Sequence, residues 1–177
     1  MAMVGNIAAI ISEELGKDQD FCNTIKVSAQ LHDIGKSGIP DCILLKPGPL
    51  NKEESEIVKR HTVIGYDLLK DGSSPYMQMG ARIAKYHHER FDGGGYPDGL
   101  AGEQIPIEAK IVAVADMFDA MISDRPYRSA VPMKKAKNTI NGYRGDFLDP
   151  ECVRAFMARF DEITSSREKQ LINERSV

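Results

Sequence analysis

An aspartate inside an apolar helical run constrains this chain more than any other feature. The segment IVAVADMFDAMIS reads as a buried helix starting near Pro106 or Ile107, and Asp116 stands in the middle of it. A buried carboxylate without a partner costs several kcal/mol, so Asp116 has to be paired or bound to a metal ion. At 177 residues the chain suits one domain, large enough to form a core without staples. With 42% hydrophobic and 28% charged residues, wholesale disorder is excluded.

The remaining helical signals follow in order. Val4, Ile7, Ala8, Ile11 and Leu15 form one stripe of a first helix, with Gly16 as its C-cap. A second helix is expected from Asp18, as N-cap, to Gly35. A Gly/Pro-punctuated loop with a short turn at Cys42–Leu45 comes next. Asn51 with Glu54 opens a third helix running to about Lys70, and a fourth runs from Tyr76 to Arg90. Residues 91–106 carry five glycines and two prolines, so they form a long loop. Two last helices are expected at Met133–Asn141 and Pro150–Lys169. Alternating strand patterns are absent. The reading is all-α: one domain of about seven helices over residues 1–165, with a solvated helical tail at 166–177.

Composition removes several functions. A net charge of −3 argues against duplex nucleic-acid binding. Cys22, Cys42 and Cys152 are odd in number and lack CxxC spacing, which fits neither a disulfide framework nor a thiolate zinc site. No apolar run approaches the roughly 20 residues that span a bilayer. The N-terminal stretch is too polar for a signal peptide. The expectation is a cytoplasmic domain without membrane contact.

All four histidines stand on or at the end of an expected helix: His32 beside Asp33, His61, and the pair His87–His88. Imidazole and carboxylate without thiolate suit Mn, Fe or Zn better than Mg or Ca. Two ions about 3.5–4 Å apart are a standard device for hydrolysing phosphate esters. Lys36, four residues after His32, would share its face if the second helix persisted.

The motif HDIGK (His32–Lys36) resembles the signature of the HD superfamily of metal-dependent phosphohydrolases, and HHERFDGGGYP (His87–Pro97) resembles that of its HD-GYP subfamily. The stretches IPDCILLKPGPLN, HTVIG, EQIPIEAKIVAVADMFDAMISDRPYR and GDFLDPECV are similar to that subfamily in order and spacing, so the likeness covers nearly the whole chain. The resemblance implies a helical bundle that hydrolyses the bacterial second messenger cyclic di-GMP to linear pGpG and in some members to GMP. It implies two divalent ions, Fe or Mn foremost, with Zn, Co and Ni also accepted. By motif, His32 and Asp33 are ligands and Asp33 bridges. His61, His87 and His88 hold one ion, and Asp116 helps hold another. Lys36 meets the scissile phosphate, Tyr96 of the Gly95-Tyr96-Pro97 loop lies near the substrate, and Arg125 and Arg128 meet phosphate or guanine.

The chain departs from the pattern in its first helix. Aligned on VGNIAAIISEELG, the family's upstream histidine falls one residue before Met1. The ion relying on His32, Asp33 and Asp116 is therefore expected to be the weaker, in a domain cut from a longer protein. Cyclic GMP-AMP is the alternative substrate. A binding module without turnover, engaging a cyclic dinucleotide or a diguanylate cyclase through the GYP loop, is the alternative of another class. A homodimer is compatible with all of these.

Overall fold

The computed structural model describes residues 2–124 and 129–166. Arg125 and Arg128, and the tail beyond 166, lie outside the described residues.

Helices α1 (Ala2–Glu14) and α2 (Gln19–Ser28) open the chain, followed by two 3₁₀ turns, Ala29–Leu31 and Ile34–Gly38. Helices α3 (Asp41–Leu44), α4 (Lys52–Lys59), α5 (His61–Leu69) and α6 (Pro75–Tyr86) come next. A long loop with a 3₁₀ turn at Gly102–Gln104 leads to α7 (Ile107–Ile122), then α8 (Met133–Gly142) and α9 (Pro150–Ala158), with more helix over 160–166. The described residues contain no strand, only an isolated bridge between Arg144 and Leu148.

Local caps follow from the residue types. Gly16, at φ +71°, ends α1 in the left-handed conformation that glycine adopts at low cost. The Asp18 carboxylate accepts from the Phe21 amide, and Asn51 with Glu54 forms a complete capping box.

Tertiary packing is organised around α7. Ile111, Val112, Val114, Ala115 and Phe118 of α7 are buried among Ile7 and Ile11 of α1, Ile25 of α2, Ile83 of α6, Ile140 of α8 and Phe156 of α9. Phe118 and Phe156 meet edge to face at 5.0 Å. Emptying either position costs about 3–5 kcal/mol. Lys110 and Asp149, both buried, pair at 2.9 Å and tie α7 to the start of α9, where Asp149 also accepts the Glu151 and Cys152 amides. The opposite face of α7 carries Asp116 out of this core.

Four of the expected long helices are broken or cut short. The second stops at Ser28 rather than Gly35, so Lys36 is not placed by helical register; it lies in the 3₁₀ turn after Asp33. The third divides at Arg60, where the Thr62 hydroxyl donates to the Lys59 carbonyl and competes with the helix ladder. The fourth starts at Pro75, capped by Ser74, and ends at Tyr86 instead of Arg90. The last also breaks, at Arg159. The first three breaks share a cause: each places a histidine at a helix end.

Candidate active site

His32, His61 and His87 use the same local device. His32 Nδ1 lies 2.7 Å from the Ala29 carbonyl, His61 Nδ1 2.7 Å from that of Val58, and His87 Nδ1 3.0 Å from that of Ile83. A carbonyl oxygen only accepts, so Nδ1 carries the proton in each ring and Nε2 is turned inward. A backbone acceptor on Nδ1 is the usual support for a metal-binding imidazole.

Close backbone contact brings these helix ends together. A Cβ on Gly35 would stand 1.9 Å from the His61 carbonyl oxygen, so only glycine lets the Asp33–Lys36 turn press against α5. A Cβ on Gly95 would stand 2.3 Å from the Arg90 amide nitrogen, so the loop folds tightly over the end of α6.

At one end of the site, ligand atoms of Asp33, His61, His87 and His88 all lie within 4.8 Å of one another. Asp33 Oδ1 is 3.5 Å from His61 Nε2 and 3.9 Å from His87 Nε2. These three atoms are buried and have no hydrogen-bond partner among the described residues. Orphaned polar atoms converging on one point are costly as they stand. A divalent cation at that point would satisfy all of them, and the imidazole and carboxylate donors suit one. Burial lowers the pKa of His61. Burial, with His88 and His32 nearby, holds His87 far below its ordinary value. Burial and His61 bring His88 down to about 4. All three rings are neutral at pH 7.

The other end has the opposite charge state. His32 Nε2 is 3.4 Å from Asp33 Oδ2 and 3.5 Å from Asp116 Oδ1. Burial opposes a charge on His32, but the Asp116 and Asp33 carboxylates outweigh it and raise the pKa to about 10. Burial likewise opposes ionisation of Asp33, and His32 and Lys36 overcome it, holding Asp33 well below the carboxylate range. Lys36 Nζ stands 2.5 Å from Asp33 Oδ2. Asp33 thus faces both ends, one oxygen to each.

A cavity of about 510 Å³ opens on this centre, within the roughly 300–1,000 Å³ range of small-molecule sites. Asp116, His87 and His88 line it near the histidines, and Ala113, Met117 and Ala120 continue along the same face of α7. Tyr96 stacks on His88 at 4.8 Å, and the Lys59 ammonium lies 5.4 Å from the Tyr96 ring. Burial pushes the Tyr96 phenol up, so it stays protonated. Gly95 also lines the cavity, and the Tyr96–Pro97 peptide is cis.

Sequence reasoning missed Glu89. It is buried, its Oε1 accepts from the amides of Asp98 (2.8 Å) and Gly99 (3.1 Å), and its Oε2 accepts from Leu100 (3.1 Å). This carboxylate clamps the loop that carries Tyr96. Its sequence signal was its place in the HHERFDGGGYP motif, directly after the histidine pair, where it was given no role. Phe147, beneath Arg90, stands in the stretch GDFLDPECV but was given no role of its own.

The HD domain family matches residues 1–152. The chain belongs to the HD domain family. It is 49% identical over 154 residues to a cyclic di-GMP phosphodiesterase response regulator of Xanthomonas campestris pv. campestris, covering 87% of this chain and 41% of that one. It is 52% identical over 161 residues to a cyclic di-GMP phosphodiesterase of Thermotoga maritima, covering 91% of this chain and 44% of that one. The chain thus spans less than half the length of these relatives. In structure, it resembles a cyclic GMP-AMP specific phosphodiesterase of Vibrio cholerae, with a TM-score of 0.73 at 17% identity, covering 98% of this chain and 47% of that one. That likeness establishes the all-helical HD fold. None of the described helices is long and apolar enough to cross a membrane.

Proposed function

We propose that this HD domain is a metal-dependent phosphodiesterase that opens cyclic di-GMP to linear pGpG. One observation carries the reading: buried, unpartnered Asp33 Oδ1, His61 Nε2 and His87 Nε2 converge beside the His32–Asp116 pair at the head of a nucleotide-sized cavity. The relatives near 50% identity, named cyclic di-GMP phosphodiesterases, supply the substrate.

In this reading His61, His87, His88 and Asp33 hold one divalent ion, and His32, Asp33 and Asp116 hold a second, more weakly. Fe or Mn is the metal. Such ions lower the pKa of bound water and neutralise charge on phosphoryl oxygens. The chain's own groups do the rest. Asp33, facing both ends, keeps the two ion positions in register. Lys36, already beside Asp33, places a cation where the scissile phosphate gains charge. Tyr96, neutral and stacked on His88, walls the substrate against the histidines. The GYP loop, clamped by Glu89, also offers a face for a diguanylate cyclase domain.

The test is to load the chain anaerobically with Mn or Fe, measure metal per chain, and follow cyclic di-GMP and cyclic GMP-AMP by chromatography. Linear pGpG, formed faster than the product of cyclic GMP-AMP, is the expected result. Tight binding with no product over hours would replace the enzyme reading with a binding module.

A further inference from the structure

One part of the cavity lining is a stacked cation. Arg90 lays its guanidinium on the Phe147 ring, with Cζ 3.4 Å from the ring centroid, and both residues line the cavity. Asp92 fixes the guanidinium in its plane: Nε donates to Oδ1 at 3.0 Å, and Nη2 donates to Oδ2. Asp92 is itself held by the Gly94 amide, at 2.8 Å. The backbone seats this unit too, since the Phe91 and Asp92 amides donate to the carbonyls of Phe147 and Asp146 at 3.1 and 2.8 Å. Among the described residues, Nη1 has no hydrogen-bond partner. Arg90 is therefore a preset donor, with one edge committed to Asp92 and the other left over.

The cavity that this unit and the histidines line has the proportions of a nucleotide. Its α7 face runs from Ala113 through Asp116 and Met117 to Ala120, roughly 10 Å along the helix. The Asp116 and histidine end suits a metal-held phosphate. The two alanines leave flat room, and the Met117 thioether adapts to a ring face. The Arg90 guanidinium offers donors only, which discriminates between purines. Guanine offers O6 and N7 as acceptors, whereas adenine puts an N6 amino donor where guanine has O6.

We propose that this cavity seats one purine base of the substrate and that Arg90 Nη1 selects guanine by donating to O6, with Phe147 and Asp92 holding Arg90 in place. The inference rests on the phosphodiesterase reading for its ligand class, and it adds the residue that distinguishes guanine from adenine.

The experiment separates base recognition from turnover. Hydrolysis-resistant phosphorothioate analogues of cyclic di-GMP and cyclic di-AMP are titrated calorimetrically into the Mn-loaded chain, with wild type, Arg90→Met and Asp92→Asn. Wild type prefers the guanine ligand. Arg90→Met loses about tenfold of that preference, the low end for one arginine–guanine contact, chiefly through weaker binding of the guanine ligand. Asp92→Asn loosens the seat but keeps the donor, so both affinities fall together and the preference survives. Equal losses for both ligands in Arg90→Met would reduce Arg90 to loop support and overturn the proposal. So would an unchanged preference, or a wild type indifferent to the base. A wild type that binds these analogues with guanine preference but, loaded with metal, hydrolyses no cyclic di-GMP would refute the phosphodiesterase reading while leaving the base subsite standing.

Discussion

At one end of the site, burial keeps His61, His87 and His88 neutral; at the other, Asp116 and Asp33 keep His32 charged. The two ends are built from the same residue types and share Asp33, yet they are in opposite states of readiness. The neutral end offers free lone pairs and orphaned oxygen, so a cation relieves a cost already present. The charged end has satisfied itself with an internal ion pair, which a cation must break. Identical ligand chemistry therefore does not imply equal affinity. In the proposed two-ion reading, desolvation favours metal at the first end, and a competing proton opposes it at the second.

The largest effect should come from the shared residue. Asp33→Ala removes the carboxylate proposed to serve both ends, so metal per chain should fall to near zero and turnover should drop by more than the ~100–1,000-fold typical of losing one electrostatic group. Retention of either ion at full affinity in this variant would mean that Asp33 does not join the two ends.

Separate substitutions at each end should break the comparison in opposite directions. His87→Gln strips the neutral end, and Asp116→Asn strips the charged end. Asp116→Asn should leave one tightly held ion and lower turnover by about 100-fold. His87→Gln should leave less than one ion per chain, because the surviving end is the weaker. Metal analysis after gel filtration decides, and equal residual metal in the two variants would erase the proposed difference.

The proton at the charged end provides a subtler measurement. With the His32 pKa raised to about 10 and that of His88 lowered to about 4, only His32 carries a proton that metal must displace near pH 7.5. The sign follows: affinity at the charged end rises with pH up to about 10, while affinity at the neutral end is flat above 7. Titration calorimetry of Mn in buffers of different ionisation enthalpy should report no proton for the tight ion and about one for the weak ion. One proton on the tight ion would contradict the neutral state of its histidines.

The candidate ligands were more legible in the sequence than the helices that present them. HDIGK and HHERFDGGGYP marked His32, Asp33, His87 and His88, and the apolar run isolated Asp116, because chemistry-bearing residues stand out locally. The caps at Gly16, Asp18 and Asn51 were legible for the same reason. Helix breaks near Ser28, Arg60 and Tyr86 were not, because periodicity continues across them. They exist because Gly35 must touch the His61 carbonyl and because three imidazoles take up backbone carbonyls, demands that appear only when distant segments meet. Lys36 was expected to reach the site by helical register with His32; a 3₁₀ turn brings it to Asp33 instead. Glu89 was hidden because its three amide partners lie nine to eleven residues away, in a loop without periodicity.

Glu89 also allows the smallest and most selective perturbation of the comparison, because it supports the neutral end without touching an ion position. Glu89→Gln keeps one acceptor oxygen and turns the other into an NH₂ donor. Whichever way the amide is oriented, a donor then faces a backbone N–H of residues 98–100. Leaving such a group unsatisfied costs about 1–3 kcal/mol, which for a domain of this size lowers Tm by several degrees, at about 2–4 °C per kcal/mol. The loop bearing Tyr96 loosens over His88, so KM for cyclic di-GMP should rise several-fold. Both ions should remain, because the Nδ1 bonds of His61 and His87 do not involve the loop. Loss of metal in Glu89→Gln would show that the clamp also holds the neutral end together. An unchanged Tm and KM would show that the loop needs no clamp, and that its tight fold over Arg90 is maintained by the close approach of Gly95 alone.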